Sequence, residues 1–236
     1  MFITELAIIK MKKNTYIFLF SILILAVSCT NQCETISRTY ENGNKRFVDV
    51  YENCNNKNKF KRFIYFENGK LQNEGTYING QEYGIFKRWN RKGVLIELWE
   101  MKSGKQNGNI ECWHPNGKFK RKANLENGIT EGVFKEWNEA GKLIVRGFYV
   151  NEKQTGTWTF WEDNGTIKER TYSNDTLNGK TYEYLVDSTN TTYVTGQYEN
   201  GVEAGQWKWF TEDSILYQTA IYEKGKISEI KEISIE

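Results

Sequence analysis

Glycine recurs along this chain at a nearly constant interval. The series is Gly84, Gly108, Gly132, Gly156, Gly179 and Gly205, with spacings of 24, 24, 24, 23 and 26 residues. Five residues after each of the first four glycines stands a tryptophan: Trp89, Trp113, Trp137 and Trp161. A fixed period of this length is the signature of a repeat architecture, so it constrains the fold more than any other feature.

Each repeat contains two segments with strand character. In Gly132 to Trp137 the side chains alternate between two faces, so that Phe134 and Trp137 point in opposite directions. The segment from Lys142 to Val150 is rich in β-branched and aromatic residues. No window between the glycines sustains the apolar spacing of a helix.

Turn sequences separate these segments. Nine of the 20 glycines follow an asparagine, and Asn-Gly favours the left-handed backbone of tight hairpins. Segments such as 138–141 and 114–117 fit a type I turn followed by a glycine bulge. The sequence therefore predicts an all-β fold, an elongated single-layer antiparallel meander of about seven hairpin repeats, with rings on both faces. Whether a strong twist coils this ribbon stays open.

Several motifs in this register resemble the MORN repeat. They are the Gly-x-aromatic triplets at 132–134, 156–158 and 205–207, and the Asn-Gly-Lys turns at 68–70 and 116–118. The variant is most similar to bacterial proteins grouped as the YwqK-like antitoxin family, and the resemblance covers residues 36–236. It implies a scaffold for protein contacts. The antitoxin label implies a toxin as partner.

The N-terminus has the features of an export signal. Residues 11–14 form a short basic region that contains Lys12 and Lys13, and an apolar run of 13 residues follows from Tyr16 to Ser28. This length suits a signal peptide and is too short for a membrane span. Small residues before Cys29 resemble a lipobox, which implies lipidation of Cys29; a plain signal peptide or a short anchor is the alternative. Met11 is favoured over Met1 as the initiator.

These features divide the chain into four parts. We expect a signal peptide over 1–28, the lipidated cysteine and a polar tether over 29–35, a divergent first repeat over 36–59, and MORN-like repeats over 60–236. Within the first repeat, the segment from Cys54 to Phe60 is expected to be a polar loop.

The other three cysteines fit no zinc pattern. Cys33 and Cys54 flank the irregular first repeat and are candidates for a disulfide in an oxidising compartment, with two reduced thiols as the alternative. Cys112 is then single and is expected to be a partly exposed thiol on a strand.

No constellation of residues predicts catalysis, a metal site or a cofactor. The chain has a single histidine, His114, which excludes a two-histidine metal site. We interpret His114 as a solvated turn residue. A flat meander offers no cleft for a pair of carboxylates. Without residues 1–28 the chain has 29 basic and 29 acidic residues, and it shows no basic run of the kind that nucleic-acid binding requires.

The column of Trp89, Trp113, Trp137 and Trp161 has two interpretations. The rings pack the repeats together, or they form an exposed row that binds a sugar chain. We expect a non-enzymatic, membrane-tethered scaffold that binds a protein at the bacterial envelope. Binding of envelope polysaccharide and neutralisation of a toxin are the alternatives.

Overall fold

The computed structural model describes residues 32–187 and 191–234, and all of their regular structure is β-strand. The first nine strands are β1 (Cys33–Thr39), β2 (Lys45–Asn53), β3 (Asn56–Tyr65), β4 (Leu71–Ile78), β5 (Gln81–Trp89), β6 (Leu95–Lys102), β7 (Lys105–Trp113), β8 (Phe119–Glu126) and β9 (Ile129–Thr130). The other nine are β10 (Gly132–Trp137), β11 (Leu143–Val150), β12 (Lys153–Trp161), β13 (Ile167–Ser173), β14 (Thr176–Val186), β15 (Thr191–Glu199), β16 (Val202–Thr211), β17 (Leu216–Glu223) and β18 (Lys226–Glu232).

The 18 strands form one sheet in which strands that are consecutive in the chain pair antiparallel, apart from β9 and β10. The short β9 and β10 both lie beside β8 and are separated only at Glu131, so together they fill one strand position. Within the described ranges β1 and β18 each have a single partner, so the sheet is open. The predicted single-layer meander of hairpin repeats is confirmed.

Two kinds of turn join the strands, as predicted. The turn after Trp113 closes with hydrogen bonds from the His114 amide to the Lys118 carbonyl and from the Gly117 amide to the His114 carbonyl. Gly117 has φ +83°, which completes a type I turn with a glycine bulge. The other turns are two-residue loops such as Asn79-Gly80, where both residues have positive φ.

Asparagine side chains link successive turns of the first kind. Asn116 accepts a hydrogen bond from the Lys118 amide and donates one to the carbonyl of Glu139 in the next turn, at 2.7 Å. The Lys118 ammonium reaches the Ala140 carbonyl of the same turn at 2.6 Å. Asn42, Asn68 and Asn164 make the corresponding bonds to Glu67, Arg91 and Val186. The Asn-Gly pair, followed by lysine in two of these four turns, therefore builds a turn-to-turn ladder along one side of the sheet.

One face of the sheet, here called the core face, carries a central column of packed residues. From β2 to β18 the column contains Asp49, Arg62, Gly75, Phe86, Trp99, Ile110, Ala123, Phe134, Gly147, Trp158, Arg170, Thr181, Gly196, Trp207, Ala220 and Ile230. Phe86, Trp158 and Trp207 are buried in it. A single layer thus makes its core by stacking rings over neighbouring strands, because it has no second sheet to pack against.

Glycine makes room for these rings. A Cβ built on Gly147 would lie 2.0 Å from Cδ2 of Trp158, so the indole rests directly on the backbone of the adjacent strand. Gly75 lies under Phe86 in the same way, and Gly196 under Trp207. A tyrosine two residues after each of these glycines packs against the same ring, as Tyr149 does against Trp158 at 5.0 Å.

The first repeat differs from the expectation at one place. Cys54 to Phe60 is not a loop, because the turn comprises only Cys54 and Asn55, and β3 begins at Asn56. The side chains of Asn53 and Asn56 accept hydrogen bonds from nearby backbone amides, which lets this polar sequence form a tight hairpin. β1 begins at Cys33, inside the range expected to be a tether.

Candidate protein-binding groove

The face opposite the core face contains a groove that crosses strands β12 to β16. It has a volume of about 630 Å³. The side chains that line it from this face are Thr157, Glu169, Thr171, Lys180, Tyr182, Thr195, Gln197, Gln206 and Lys208. Hydroxyl and amide groups therefore dominate the floor, and such groups both donate and accept hydrogen bonds.

A second concavity, of about 310 Å³, extends the groove to β10 and shares Thr157 with it. At its end Val133 and Phe148 are direct cross-strand partners. Val133 is 51% exposed and Phe148 is 42% exposed. The extended groove thus combines a polar floor with an apolar pair at one end.

The cations of this groove lack acidic partners. Arg146, Lys180 and Lys208 form no ion pair with any residue that the structure describes, and Glu169 is the single carboxylate in the lining. Elsewhere on the same face, Lys61 and Lys87 share Glu74, and Lys122 pairs with Glu111. The groove is consequently positive on a chain whose overall charge is close to balanced.

Tyr182 stands in the middle of the groove with an exposed ring. Partial burial, followed by the neighbouring Tyr193 and Glu169, raises the pKa of its phenol, so the hydroxyl is protonated at neutral pH. It is therefore available as a hydrogen-bond donor as well as a surface for stacking.

The predicted tryptophan column lies on this opposite face, beside the ladder of turns. Trp89, Trp113, Trp137 and Trp161 are all half-buried. Phe119 lies between two of them, with ring centroids 5.5 Å from Trp113 and 5.8 Å from Trp137. This geometry favours packing of the repeats, while a role of the rings in binding a ligand stays a prediction.

Cys33 and Cys54, the two candidates for a disulfide, are brought together. A hydrogen bond with the Cys54 side chain is the main cause that raises the pKa of the Cys33 thiol. The two thiols lie side by side, and their oxidation to a disulfide stays a prediction. Cys29, the predicted lipidation site, lies outside the described residues.

His114 is not solvated, contrary to the expectation. It is buried, and its Nε2 lies 2.8 Å from the carbonyl oxygen of Trp137 in the next repeat. Because a carbonyl only accepts, Nε2 carries the proton. The nearby Cys112 is half-buried on β7, as expected, and burial followed by the Glu97 carboxylate raises the pKa of its thiol.

Sequence reasoning missed the groove, because a flat meander predicts no concave surface. The residue that follows each repeat glycine indicates where this groove lies. In the successive repeats this position is Ile85, Asn109, Val133, Thr157, Lys180 and Gln206. These side chains point away from the core face, and from Val133 onwards they change from apolar to polar, which marks the two ends of the groove.

Comparison with known families agrees with the repeat register. The model of the MORN repeat variant matches residues 61–79, 130–151 and 154–175. These segments include most of the β3–β4, β10–β11 and β12–β13 hairpins. These three segments are therefore similar to the MORN repeat variant, a kind of repeat that commonly serves as a scaffold for contacts with proteins or membranes. No curated protein matches the chain significantly.

Two further features of the described residues concern membranes and metals. None of these residues forms a helix with the length and apolarity of a membrane span. Across the same ranges, no three His, Cys, Asp or Glu side chains are grouped as metal ligands would be.

Proposed function

We propose that this protein is a non-enzymatic scaffold, tethered to the bacterial envelope through Cys29, that binds an acidic, extended segment of a partner protein in the groove of β10 to β16. The observation that carries the proposal is the set of three cations in the groove without acidic partners. A cation that already has a carboxylate partner gains little from a second one, whereas an unpaired cation is available to a ligand.

The shape and chemistry of the groove favour a polypeptide over a sugar. An extended peptide presents alternating amide and carbonyl groups, which match the threonine and glutamine side chains of the floor. The apolar pair Val133 and Phe148 offers a sugar few hydrogen bonds, but it suits an aliphatic or aromatic anchor residue. A partner with an apolar residue next to a run of acidic residues fits both ends of the groove.

Photo-crosslinking tests this proposal in cells that produce the full chain. A benzophenone amino acid replaces Tyr182 in the groove. As the matched control it replaces Tyr83, which is also an exposed tyrosine of the opposite face but lies outside the groove. We expect one defined protein to crosslink through position 182 and not through position 83.

Charge reversal identifies the contacts. Lys180→Glu and Lys208→Glu should each reduce the yield of that crosslink about tenfold. Lys92→Glu makes the same change of charge at an exposed turn and should have no effect. Equal crosslinking yields for all three variants would show that the cations of the groove do not contact the partner.

The same cells distinguish the alternatives. The polysaccharide alternative is supported if the chain binds glycan, if folded Trp113→Ala and Trp137→Ala variants lose this binding, and if no protein is crosslinked. A cytoplasmic toxin as the crosslinked partner supports the antitoxin relationship that the YwqK-like resemblance implies. Labelling with a palmitate analogue tests the tether, since Cys29→Ala should abolish incorporation if Cys29 is lipidated.

A further inference from the structure

The last strand, β18, forms one edge of the described sheet and is exposed along its whole length. It pairs with β17, and the structure describes no strand on its other side. Ile230 extends the central column of the core face beyond the buried Ala220, yet it is 56% exposed. The packed column therefore ends on an uncovered apolar side chain.

Alternate residues of β18 direct their backbone amide and carbonyl groups towards β17 or away from it. The Ile233 amide donates to the Tyr217 carbonyl of β17 at 2.8 Å. Since bonded positions alternate along an antiparallel strand, Lys231 and Glu229 also bond towards β17, and Ile230 and Glu232 direct their amide and carbonyl groups outwards. An additional strand would meet the backbone groups of these two residues.

We propose that β18 binds β18 of a second copy of this chain, antiparallel and centred on Ile230. In this register Ile230 lies opposite Ile230 of the second copy as a hydrogen-bonded pair. Lys231 lies opposite Glu229 of the other copy, and the reverse holds by symmetry. These positions do not bond across the new interface, so their side chains are closest there, which suits two ion pairs.

Charge selects this register over its neighbours. A shift of the register by one step in one direction places Glu229 opposite Glu229, and a shift in the other direction places Lys231 opposite Lys231. Both arrangements oppose like charges across the two-fold axis, which is destabilising. A register that places Ile230 opposite Glu229 or Lys231 of the second copy is excluded, because these residues lie on different faces of their sheets.

The resulting dimer would join the two central columns end to end through an apolar contact between the two Ile230 side chains. Its interface is a single pair of strands and is smaller than a standard protein interface, so association should depend on concentration. The inference does not depend on the groove of β10 to β16, which is separated from β18 by β17. Dimerisation would place two such grooves on one particle.

Cysteine crosslinking tests the two-fold axis. Ile230→Cys should form a disulfide-linked dimer on mild oxidation of the full chain, because the residue meets its own copy at the axis. Ile227→Cys is the matched control: the native isoleucine is 54% exposed on the same strand but should lie far from its own copy. The proposal would be overturned if Ile227→Cys formed the disulfide-linked dimer as fast as Ile230→Cys. It would also be overturned if Ile230→Cys formed no more of this dimer than the parent chain.

A charge swap tests the register by sedimentation velocity. Glu229→Lys alone and Lys231→Glu alone should each weaken the dimer about tenfold, because each creates two like-charge contacts. The double variant restores both ion pairs with reversed sign and should recover the parent's dissociation constant. A parent chain that stays monomeric, or a double variant weaker than either single one, would contradict the proposal.

Discussion

At the scale of single residues, the core of this sheet depends on pairing a large side chain on one strand with a small residue on the adjacent strand. Where one strand has glycine, the next has a large ring, as at Gly147 and Trp158. Where the glycine is replaced by Trp99 or Arg170, the facing residue is the smaller Ile110 or Thr181. Each pair thus fills a similar space, which is the requirement of a close-packed core.

This pairing leads to a prediction for Gly147→Ala. The added Cβ would overlap the indole of Trp158, and because the contact involves ring atoms held between strands, relief requires backbone movement. We expect a loss of about 1–3 kcal/mol in the free energy of unfolding. Urea denaturation measures it, with Glu199→Ala at an exposed strand end as the control; equal midpoints for the two variants would contradict the packing argument.

Two half-buried tyrosines predict an alkaline dependence of stability. Burial is the main cause that raises the pKa of Tyr77 and of Tyr198. A phenol whose folded pKa exceeds its unfolded value, about 10, contributes stability that is present below that value and is lost as the pH rises through the folded pKa. The free energy of unfolding should therefore fall above about pH 10.

Phenylalanine variants isolate this contribution. Urea denaturation of Tyr77→Phe and Tyr198→Phe between neutral pH and pH 11 should show a shallower alkaline decline than the parent. Exposed Tyr83→Phe is the matched control. A decline in the two buried-site variants as steep as the parent's would show that these phenols do not carry the effect.

At the scale of elements, the turn ladder explains why Asn-Gly-Lys recurs. Asn116→Ala removes both the bond from the Lys118 amide and the bond to the Glu139 carbonyl, so we expect a loss of about 1 kcal/mol. Ala140→Asn adds the missing asparagine to the next turn and should recover part of that loss. Thermal unfolding of the two single variants and the double variant measures both effects.

The elements were also the part of the fold that the sequence predicted best. Period, strands and both turn types follow from Gly132, Trp137, Asn-Gly pairs and alternating faces, because these are local rules of backbone geometry. The buried state of His114 did not follow, because its partner is a carbonyl one repeat away. The groove did not follow either, because concavity depends on how the whole sheet twists.

At the scale of the whole molecule, each strand is stabilised by its immediate neighbours. In such a one-dimensional array, removal of one complete repeat leaves every remaining interface of the same kind. Deletion of residues 132–155 joins Glu131 to Gly156, which has the same place in its repeat as Gly132. We expect the shortened chain to fold and to be about 10 Å shorter by small-angle X-ray scattering.

The choice of boundaries supplies the control for this deletion. Removal of residues 138–155, which leaves an incomplete repeat, breaks the alternation of the two strand types. We expect this variant to lose cooperative unfolding. Two deletions that are equally tolerated would show that the repeats are not the units of stability.

The open meander also determines how the molecule responds to force. A load applied between β1 and β18 acts across the strands, so it pulls on the inter-strand hydrogen bonds of an outer strand in succession from one end. Such a chain yields at low tension, one strand after another, and re-forms in the reverse order when the tension falls. If Cys29 fixes one end to a membrane while a partner holds the other part, the ribbon becomes an extensible tether whose working length increases with the number of repeats.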